Sequence, residues 1–483
     1  MPRKKVVKAK AVAKQKIVNL PISRLIDTKF RDYAVYVLES RGIPSFYDAL
    51  TPVQRYILMN SPSTKVKTLS VVGKSIEDGY HHGDMSLGKA ISKLARPFGC
   101  ALQLLQGSGF FGTEVSPEPA AARYTSVNLS SKANEILKKY KHLVTRETDG
   151  PYDPFWLEYP IGLTTPIVGI AVGYKTTILP RKLEHIKEYF EGKRQSIKPY
   201  FQDFSGKIQR YKELDKSWLI TSEFNITDNR IEVRELPPVM KYASVLKKLD
   251  YLFSKFEGRV KVINNSNTKV HIDIVYMGKN SSEWIEIQEY IGKVFSVLVT
   301  ETPVFIKDGN VLVYDKVEEY LDDYQWQLLR LNAKDREYQK DWTSFELEFN
   351  KAKKLFIAFL LQKKRTVAEM DVWLKSYNGR IKARLEALTS KKFTTDELAF
   401  TDEKIKELTK DLRLREAEYK KAQKLYESTP DPTIKRGISS KKTSIDLFEG
   451  EDMSEINGIE VWDGEDPFET KNPFEKESDS FDE

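Results

Sequence analysis

Apolar side chains recur every three or four positions along two long stretches in the C-terminal half of the chain. One stretch covers residues 321–359, and the other covers residues 405–426. This spacing predicts two long helices, and the residues between them, 366–400, predict a compact insert where the chain turns back. We therefore expect an antiparallel coiled coil over residues 315–428 with a knob at its tip, a shape that often brings two protomers together.

The middle of the chain mixes the patterns of strands and helices. Ile231 and Val233 alternate with charged residues until a Pro-Pro pair, which predicts a short strand that the prolines end. Residues 262–276 hold two apolar runs around a turn-like Asn-Asn-Ser-Asn, which predicts a hairpin. Residues 131–314 are therefore expected to form a unit that contains both α-helices and β-strands.

The N-terminal third, residues 30–130, is mostly helical in pattern. After the sequence His-His-Gly-Asp, a predicted helix has one apolar face and one basic face. The apolar face holds Leu87, Ile91, Leu94 and Ala95. The basic face holds Lys89, Lys93 and Arg96. Such a face suits contact with DNA phosphates, and it equally suits an ordinary amphipathic helix with a lysine-rich wet side.

The net charge of +8 hides an uneven distribution of charge along the chain. Residues 446–483 hold fifteen acidic residues and two lysines, a net charge of −13, whereas residues 1–20 hold seven basic residues and no acidic one. Residues 21–445 therefore carry a net charge of +14, which favours a polyanionic partner through counterion release. A merely solvated basic surface is the alternative, and charge alone does not separate the two.

The cysteine content and the hydropathy of the sequence limit the cellular compartments in which the protein is expected. Cys100 is the single cysteine, which excludes an internal disulfide and suits a reducing cytoplasm. The sequence lacks an uninterrupted apolar run of about 18 residues, which predicts that no segment spans a membrane. One cysteine and five histidines supply few ligands for zinc. We therefore expect a cytoplasmic protein without a metal site of its own.

Two nucleotide-binding patterns are present only in part. Residues 107–112 match G-x-G-x-x-G, but that fingerprint needs a helix to begin inside it, and Pro117 and Pro119 follow instead. Gly-Lys-Ser at 73–75 resembles the end of a phosphate-binding loop, but the upstream glycine position is Thr68. An Asp-x-Asp metal motif is also missing from the sequence. ATP-dependent or metal-dependent work would therefore need another chain.

Four segments in the N-terminal part of the chain carry the candidate chemistry. They are IPSFYDALTPVQRYIL at 43–58, VVGKSIEDGYHHGDMSL at 71–87, LLQGSGFFGT with AAARYTS at 104–126, and DPFWLEYPIGL with VGIAVGYKTTILP at 153–180. Their order and spacing resemble the breakage–reunion half of type IIA DNA topoisomerases, as in the A subunits of gyrase and topoisomerase IV and in eukaryotic topoisomerase II. The layout is most similar to the medium subunit of T-even-type phage topoisomerases.

The resemblance implies a catalytic group around Tyr124. Tyr124 would attack the DNA backbone and form a phosphotyrosine, and because a phenol has a pKa of about 10, cations must stabilise its phenolate. Arg123 can pair with phosphate oxygens as charge builds up. Arg55 and His82 are expected to converge on the same phosphate, where His82 would donate a hydrogen bond or relay a proton. Outside this context, an Arg-Tyr or His-His pair is usually structural.

The resemblance also implies residues that hold DNA. Ile170 is expected to wedge between base pairs and bend the duplex, and the alternative for Ile170 is a buried strand residue. Gln106 begins a glycine-rich loop that lets backbone approach DNA or a second protomer closely. The other expected DNA contacts are Lys65, Lys67, His81, Lys89 and Lys93.

The resemblance further implies an architecture. The expected parts are a basic disordered tail (1–20), a winged-helix domain (21–130), an α+β tower domain (131–314), a coiled coil (315–428) with a C-gate dimerisation insert near 366–400, and an acidic disordered tail (429–483).

Two copies would cut both strands of double-stranded DNA. A separate subunit would bind ATP and Mg²⁺, and the reaction would be ATP-dependent passage of one duplex through another. A non-catalytic DNA-binding coiled-coil protein is the alternative, whereas the residue pattern of a tyrosine recombinase is not evident.

Overall fold

The structure is a computed structural model. It describes residues 29–439 apart from 146–151, 212–213, 215, 257, 362–366, 378, 390 and 436. The predicted basic tail and most of the predicted acidic tail therefore lie outside the described residues.

Four helices, a π-helical turn and a small sheet make up the N-terminal unit. The helices are α1 (Arg31–Val37), α2 (Pro52–Asn60), α3 (Thr68–Glu77) and α4 (Asp84–Ala95), and the π-helical turn is Leu38–Gly42. The strands are β1 (Val66–Lys67), β2 (Leu105–Ser108) and β3 (Ser126–Leu129), in the antiparallel order β1-β3-β2. Helices packed beside a three-stranded sheet are compatible with a winged helix, which stays a prediction.

The helix predicted after His-His-Gly-Asp is α4, and its apolar face is confirmed. The buried residues on this face are Leu87, Ile91, Leu94 and Ala95. Lys89 and Lys93 are exposed, but the expectation that Arg96 belongs to the basic face is wrong. Arg96 is buried because the helix ends one residue before it, and its guanidinium lies 4.9 Å from the centre of the Phe98 ring.

The core of this unit continues past the domain boundary predicted at residue 130. Helix α5 (Ser131–Lys139) and the 3-10 turns Lys141–Leu143 and Ile161–Thr164 follow β3. Phe155, Leu157 and Ile161 are buried in one apolar cluster with Leu87 and Val127. The predicted boundary is wrong because these later side chains complete the core of the N-terminal unit.

A second core attaches the N-terminal unit to the rest of the molecule. It lies beside the hairpin of β4 (Ile167–Ala171) and β5 (Tyr174–Ile178) and helix α6 (Leu183–Phe190). Phe46 packs there against Tyr320 and Tyr324, and the Tyr320 hydroxyl donates to the Phe46 carbonyl at 2.8 Å. The Tyr324 hydroxyl donates to the Leu157 carbonyl at 2.9 Å.

The middle of the chain is an α+β unit, as predicted. Its strands are β6 (Lys207–Arg210), β7 (Ser217–Thr221), β8 (Phe224–Ile226), β9 (Arg230–Val233), β10 (Val260–Asn264), β11 (Ile272–Tyr276) and β12 (Ser296–Thr300), and its helices are α7 (Tyr242–Lys255) and α8 (Ser281–Val294). The sheets have the orders β10-β11-β9-β8 and β12-β7-β6. Strand β9 confirms the strand predicted before the Pro-Pro pair, and the antiparallel β10–β11 pair confirms the hairpin.

A short hairpin leads into an arm of two long helices. The hairpin is β13 (Val304–Lys307) and β14 (Asn310–Val313), and the helices of the arm are α9 (Val317–Leu361), α10 (Val367–Lys375), α11 (Gly379–Glu386) and α12 (Thr395–Ser428). Helices α9 and α12 run antiparallel, because the ring centres of Trp326 and Tyr426 lie 5.3 Å apart while Lys353 donates to Glu397 at 2.8 Å. Two long helices around a compact insert are therefore confirmed. None of the helices in the described ranges has the length and hydropathy of a membrane span.

Part of the predicted acidic tail is folded against the body. A 3-10 turn (Pro432–Lys435) and β15 (Gly437–Ser439) follow α12, and β15 pairs with β14. Lys307 is buried and donates to Asp431 and, at 2.6 Å, to Thr433. The tail boundary predicted at 429 is wrong, because one ion pair and one strand pairing tie residues 431–439 to the base of the arm.

Candidate active site

Tyr124 lies in an exposed turn directly before β3. Its side chain is 70% exposed, and its amide donates to the Ala121 carbonyl at 2.8 Å. The guanidinium carbon of Arg123 lies 5.3 Å from the centre of the Tyr124 ring. A phenol in this position is accessible to a macromolecular substrate and has a permanent cation beside it.

The turn is held by the first turn of α3. The Leu69 amide donates to the Ala122 carbonyl at 3.3 Å, and the Thr68 amide donates to the Thr125 carbonyl at 3.1 Å. The first amides of a helix have no partner inside the helix. In this protein the carbonyls on either side of Tyr124 satisfy two of them, so the position of the turn is fixed to the helix.

The glycine-rich loop approaches the other side of the turn. Gly109 has a φ of +111°, and a Cβ atom there would lie 3.3 Å from the Thr125 side chain and 3.4 Å from the Tyr124 carbonyl oxygen. Gly109 therefore allows a close approach in a backbone conformation that disfavours other residues. Gln106 is exposed on β2, upstream of this glycine. The loop's role toward DNA stays a prediction.

The lysines expected to contact DNA flank the same turn. Lys65 donates to the Ser108 hydroxyl at 2.5 Å. Lys67 is exposed and pairs across the sheet with Ser126, two residues after Tyr124. Lys65 and Lys67 therefore lie at β1, beside the strand that follows the tyrosine turn, where they would favour an approaching phosphate backbone.

A second polar group lies beyond the C-terminal end of α3. The Arg41 guanidinium donates to Nδ1 of His82 at 2.9 Å, and the Tyr36 hydroxyl lies 2.6 Å from Nε2 of His81. Burial, followed by the charges of Arg41 and His81, lowers the pKa of the His82 imidazole. The lowered pKa favours a neutral His82 imidazole near pH 7. The Arg41 guanidinium faces both of its ring nitrogens, 2.9 Å from Nδ1 and 3.4 Å from Nε2.

Arg41 is the site residue that sequence reasoning missed. It stands two residues before the first of the four resembling segments and belongs to the π-helical turn. Its signal in the sequence is an arginine followed by a glycine, which is common. Only the fold brings its guanidinium to His82.

The exposed wedge candidate is anchored beside Arg41. Ile170 is 63% exposed on β4, so the alternative of a buried strand isoleucine is excluded. A Cβ atom at Gly169 would lie 1.7 Å from the Gly42 carbonyl oxygen, and one at Gly42 would lie 2.7 Å from the Ile170 carbonyl oxygen. The two backbones therefore touch, which fixes Ile170 relative to Arg41.

Tyr124 and the Arg41–His82 pair lie at opposite ends of α3. The tyrosine turn caps the N-terminal end, whereas Tyr80 and the two histidines follow the C-terminal end. Ten helical residues span about 15 Å. Within the described part of the chain, no hydrogen bond links Tyr124 to Arg41 or His82. One protomer therefore does not bring all the predicted catalytic side chains together.

The expectation that Arg55 reaches the scissile phosphate is wrong. Its guanidinium is buried and donates to both carboxylate oxygens of Asp48, at 2.7 and 3.2 Å, and to the Leu50 carbonyl at 2.9 Å. Asp48 is also buried and accepts from the Phe155 amide at 3.0 Å. The charge of Arg55 is thus used to neutralise a buried carboxylate that joins three parts of the core.

Arg55→Ala is expected to destabilise the fold rather than to act on catalysis selectively. Removing one partner of a buried ion pair leaves an uncompensated charge, at a cost of about 3–5 kcal/mol. Urea unfolding of Arg55→Ala measures this loss, with the exposed Arg123→Ala as the control that is expected to keep wild-type stability. Wild-type stability of Arg55→Ala combined with lost DNA cleavage would restore the phosphate role.

Cationic and neutral side chains are among the groups on the tyrosine turn and its sheet. They include Arg123, Lys65, Lys67, Gln106 and Ser108. In the ranges that the structure describes, no group of three or more His, Cys, Asp or Glu residues is arranged to hold a metal ion. Mg²⁺ prefers oxygen ligands, with carboxylates foremost. The described residues therefore do not offer Mg²⁺ a cluster of carboxylate ligands.

Comparisons with known proteins give a consistent family match. The model of the family formed by the A subunits of DNA gyrase and topoisomerase IV matches residues 41–436. The chain is 28% identical over 234 residues to the DNA topoisomerase medium subunit of Enterobacteria phage T4, covering 45% of this chain and 52% of that protein. It is 34% identical over 185 residues to the DNA gyrase A protein of Spiroplasma citri, covering 35% of this chain and 81% of that protein.

A solved structure shares the fold. It is the DNA-binding, cleavage and re-ligation domain of Plasmodium falciparum topoisomerase II, with a TM-score of 0.69, 18% identity, and coverage of 83% of this chain and 64% of that one. Likeness at this identity concerns the fold alone. The chain spans about half the length of the phage relative, and 30% of the DNA gyrase A protein of Haloquadratum walsbyi, to which it is 28% identical.

Proposed function

This chain belongs to the family of DNA gyrase and topoisomerase IV A subunits, and from that membership we propose that it is the DNA-cleaving and religating component of a type IIA DNA topoisomerase. One observation carries the proposal. Tyr124 is exposed beside Arg123 in a turn that α3 holds in place, inside the region matched by the family. This exposure leaves the phenolic oxygen accessible to a DNA backbone phosphate.

The proposed reaction is a reversible transesterification. The phenol of Tyr124 gives up its proton, and its oxygen attacks a backbone phosphorus. The bond between phosphorus and the 3′ oxygen breaks, and the 3′ oxygen takes up a proton and leaves as a hydroxyl. The 5′ phosphate stays esterified to Tyr124, so the bond energy is conserved and resealing needs no ATP. Arg123, Lys65 and Lys67 favour the charge that builds up on the phosphate oxygens.

A second copy of the chain is proposed to complete each site. Leu69 and Ile76 are 53% and 43% exposed on α3, and Gly73 lies between them on the same face with open space beside it. This apolar stripe supports a contact between two α3 helices. If the two-fold axis is perpendicular to the helices, the two copies of α3 run antiparallel. Tyr124 of one protomer would then approach the Arg41–His82 pair of the other.

Ile170 is proposed to bend the DNA. An isoleucine exposed on a hairpin and anchored on Gly42 can insert between base pairs without being pushed back. Unstacking one base step costs a few kcal/mol, which contacts along the bent duplex offset. His81, Lys89, Lys93 and Gln106 are exposed and are proposed to contact the DNA backbone.

The arm is proposed to form a coiled coil that carries a second dimer contact. Leu355, Val372 and Phe400 are exposed at the far end, around the insert. Exposed apolar side chains grouped at the tip of an arm favour a protein partner. The insert would then be the C-gate, and residues between the N-terminal unit and the arm would be the tower.

Metal and nucleotide chemistry are proposed to come from a separate chain. The described residues do not offer Mg²⁺ a cluster of carboxylate ligands, and the sequence lacks a complete nucleotide-binding motif. The proposed holoenzyme therefore contains double-stranded DNA, two copies of this chain and an ATPase subunit with its own metal-binding domain. Its proposed location is the cytoplasm, which is the bacterial host's if the chain is encoded by a phage.

Denaturant trapping on end-labelled DNA tests the proposal. The chain is incubated with Mg²⁺, duplex DNA and its ATPase subunit, and the mixture is quenched with detergent. We expect protein linked to the newly formed 5′ ends and free 3′ hydroxyls. Strong DNA binding without any linked protein would favour the non-catalytic coiled-coil alternative, which makes no demand on Tyr124.

A further inference from the structure

Two buried threonine hydroxyls lie directly behind the tyrosine turn. Oγ1 of Thr125 donates a hydrogen bond to Oγ1 of Thr68 at 2.8 Å, and both residues are 1% exposed. The same residues are joined by the bond from the Thr68 amide to the Thr125 carbonyl. Thr125 follows Tyr124 in the chain, and Thr68 is the first residue of α3. The catalytic turn and the helix thus meet through one side-chain bond and two backbone bonds.

The helix depends on this junction for its N-terminal end. The residue before α3, Lys67, makes no side-chain cap. The amides of Thr68 and Leu69 are instead used by the carbonyls of Thr125 and Ala122, which bracket Tyr124. Two valines would fill the same volume as the threonine pair without burying polar atoms, which cost free energy unless they are paired. The hydroxyl pair therefore adds a third directional contact to the two backbone bonds that hold the turn against the helix.

We propose that Thr68 and Thr125 are positioning residues for Tyr124, an inference that rests on the proposed function. Neither hydroxyl is exposed, so neither touches DNA. Their bond fixes the turn relative to the axis of α3 and thereby sets where the phenolic oxygen meets the phosphate. Because α3 also carries the stripe of Leu69, Gly73 and Ile76, the tyrosine moves with the helix when two protomers separate. A broken DNA end would then travel with its own protomer.

Replacing a threonine by the isosteric valine removes the hydroxyl and distinguishes a role in positioning Tyr124 from a role in DNA binding. In the holoenzyme, Thr125→Val is expected to slow adduct formation at saturating DNA by about 10- to 100-fold, because small misplacements of a nucleophile have effects of this size. The dissociation constant for DNA is expected to stay at the wild-type value. Thr125→Ser keeps the hydroxyl and is expected to restore most of the rate. Thr68→Ala, which leaves the turn's own sequence intact, is expected to slow the rate similarly.

The chain offers a matched control in the middle unit. The Ser217 and Thr300 hydroxyls form a side-chain bond of the same length, 2.8 Å, between β7 and β12. Thr300→Val is expected to lose similar thermal stability and to cleave DNA at the wild-type rate. Equal rates for Thr125→Val and wild type, or equal rate losses in Thr125→Val and Thr300→Val, overturn the positioning role. Absence of any adduct with wild type overturns the proposed function and this inference with it.

Discussion

Tyr124→Phe is expected to abolish the covalent adduct with DNA while leaving DNA binding intact. The substitution removes only the phenolic oxygen, which in the proposed reaction is the nucleophile and which makes no hydrogen bond to another described residue. Removal of a nucleophile lowers turnover by about four orders of magnitude or more in enzymes that use covalent catalysis. Because the side chain is 70% exposed, the thermal stability of the variant is expected to match that of wild type. The measurement is the fraction of DNA trapped as protein-linked fragments.

Tyr251→Phe is the matched control for this experiment. Tyr251 is 57% exposed on α7, in the middle unit and away from the tyrosine turn. It is expected to trap DNA as wild type does. If Tyr124→Phe and wild type trap equal amounts of DNA, Tyr124 is not the nucleophile. The family membership of the chain would then be the only part of the account that still holds.

Mixed dimers are expected to recover cleavage of one strand from two inactive protomers. Arg41→Ala alone is expected to lower cleavage by about 100- to 1000-fold, the usual effect of removing a group that stabilises developing charge. If Tyr124 of one protomer works with Arg41 of the other, a dimer of Tyr124→Phe and Arg41→Ala protomers contains one intact site and one doubly damaged site. Such a dimer is expected to nick DNA, whereas either homodimer is not. The measurement is the yield of protein-linked nicks from co-expressed, differently tagged chains.

The reciprocal pairing provides the control. In this control, one protomer carries both substitutions and the other is wild type. If each site uses residues from both protomers, both sites are damaged; if each site belongs to one protomer, one site stays intact. The shared arrangement therefore predicts nicks from the first mixture and none from the second. The reverse pattern would mean that α3 does not separate Tyr124 from Arg41 in the working enzyme.

Periodic patterns in the sequence were sufficient to predict the long elements. The apolar spacing gave α4, α9 and α12, and the alternation around the Pro-Pro pair gave β9. Asp335 and Arg415 interrupt the apolar spacing of the two arm helices, and these interruptions have a physical explanation. Gln339 donates to Asp335 and accepts from Arg415, each at 2.6 Å, so the interruptions form one polar bridge between the helices. A pattern search treats them as breaks, because it cannot see their common partner.

The candidate site could be predicted only where its residues follow one another in the chain. Arg123 and Tyr124 are neighbours, and their sequence context sufficed. Arg55 was predicted at the phosphate and Arg41 was missed, because burial is a property of the fold. The sequence does place Asp48 seven residues before Arg55, but only the structure turns that carboxylate toward the guanidinium. The bond between Arg41 and His82 likewise joins residues 41 positions apart.

The predicted domain boundary at residue 130 and the predicted extent of the acidic tail were wrong for a related reason. Composition decides whether a segment can build a core of its own, and residues 431–439 cannot. A single buried lysine, Lys307, supplies the contact that holds Asp431 and Thr433 in place. Phe155 and Ile161 similarly complete a core begun more than a hundred residues earlier, at Leu50.

The most direct test is to identify the side chain that carries the broken DNA end. The trapped complex is digested with nuclease and protease, and the nucleotide-bearing peptide is sequenced by mass spectrometry. We expect a nucleotide joined through its 5′ phosphate to the phenolic oxygen of Tyr124. A nucleotide on any other residue, or a linkage through the 3′ phosphate, would contradict the central claim.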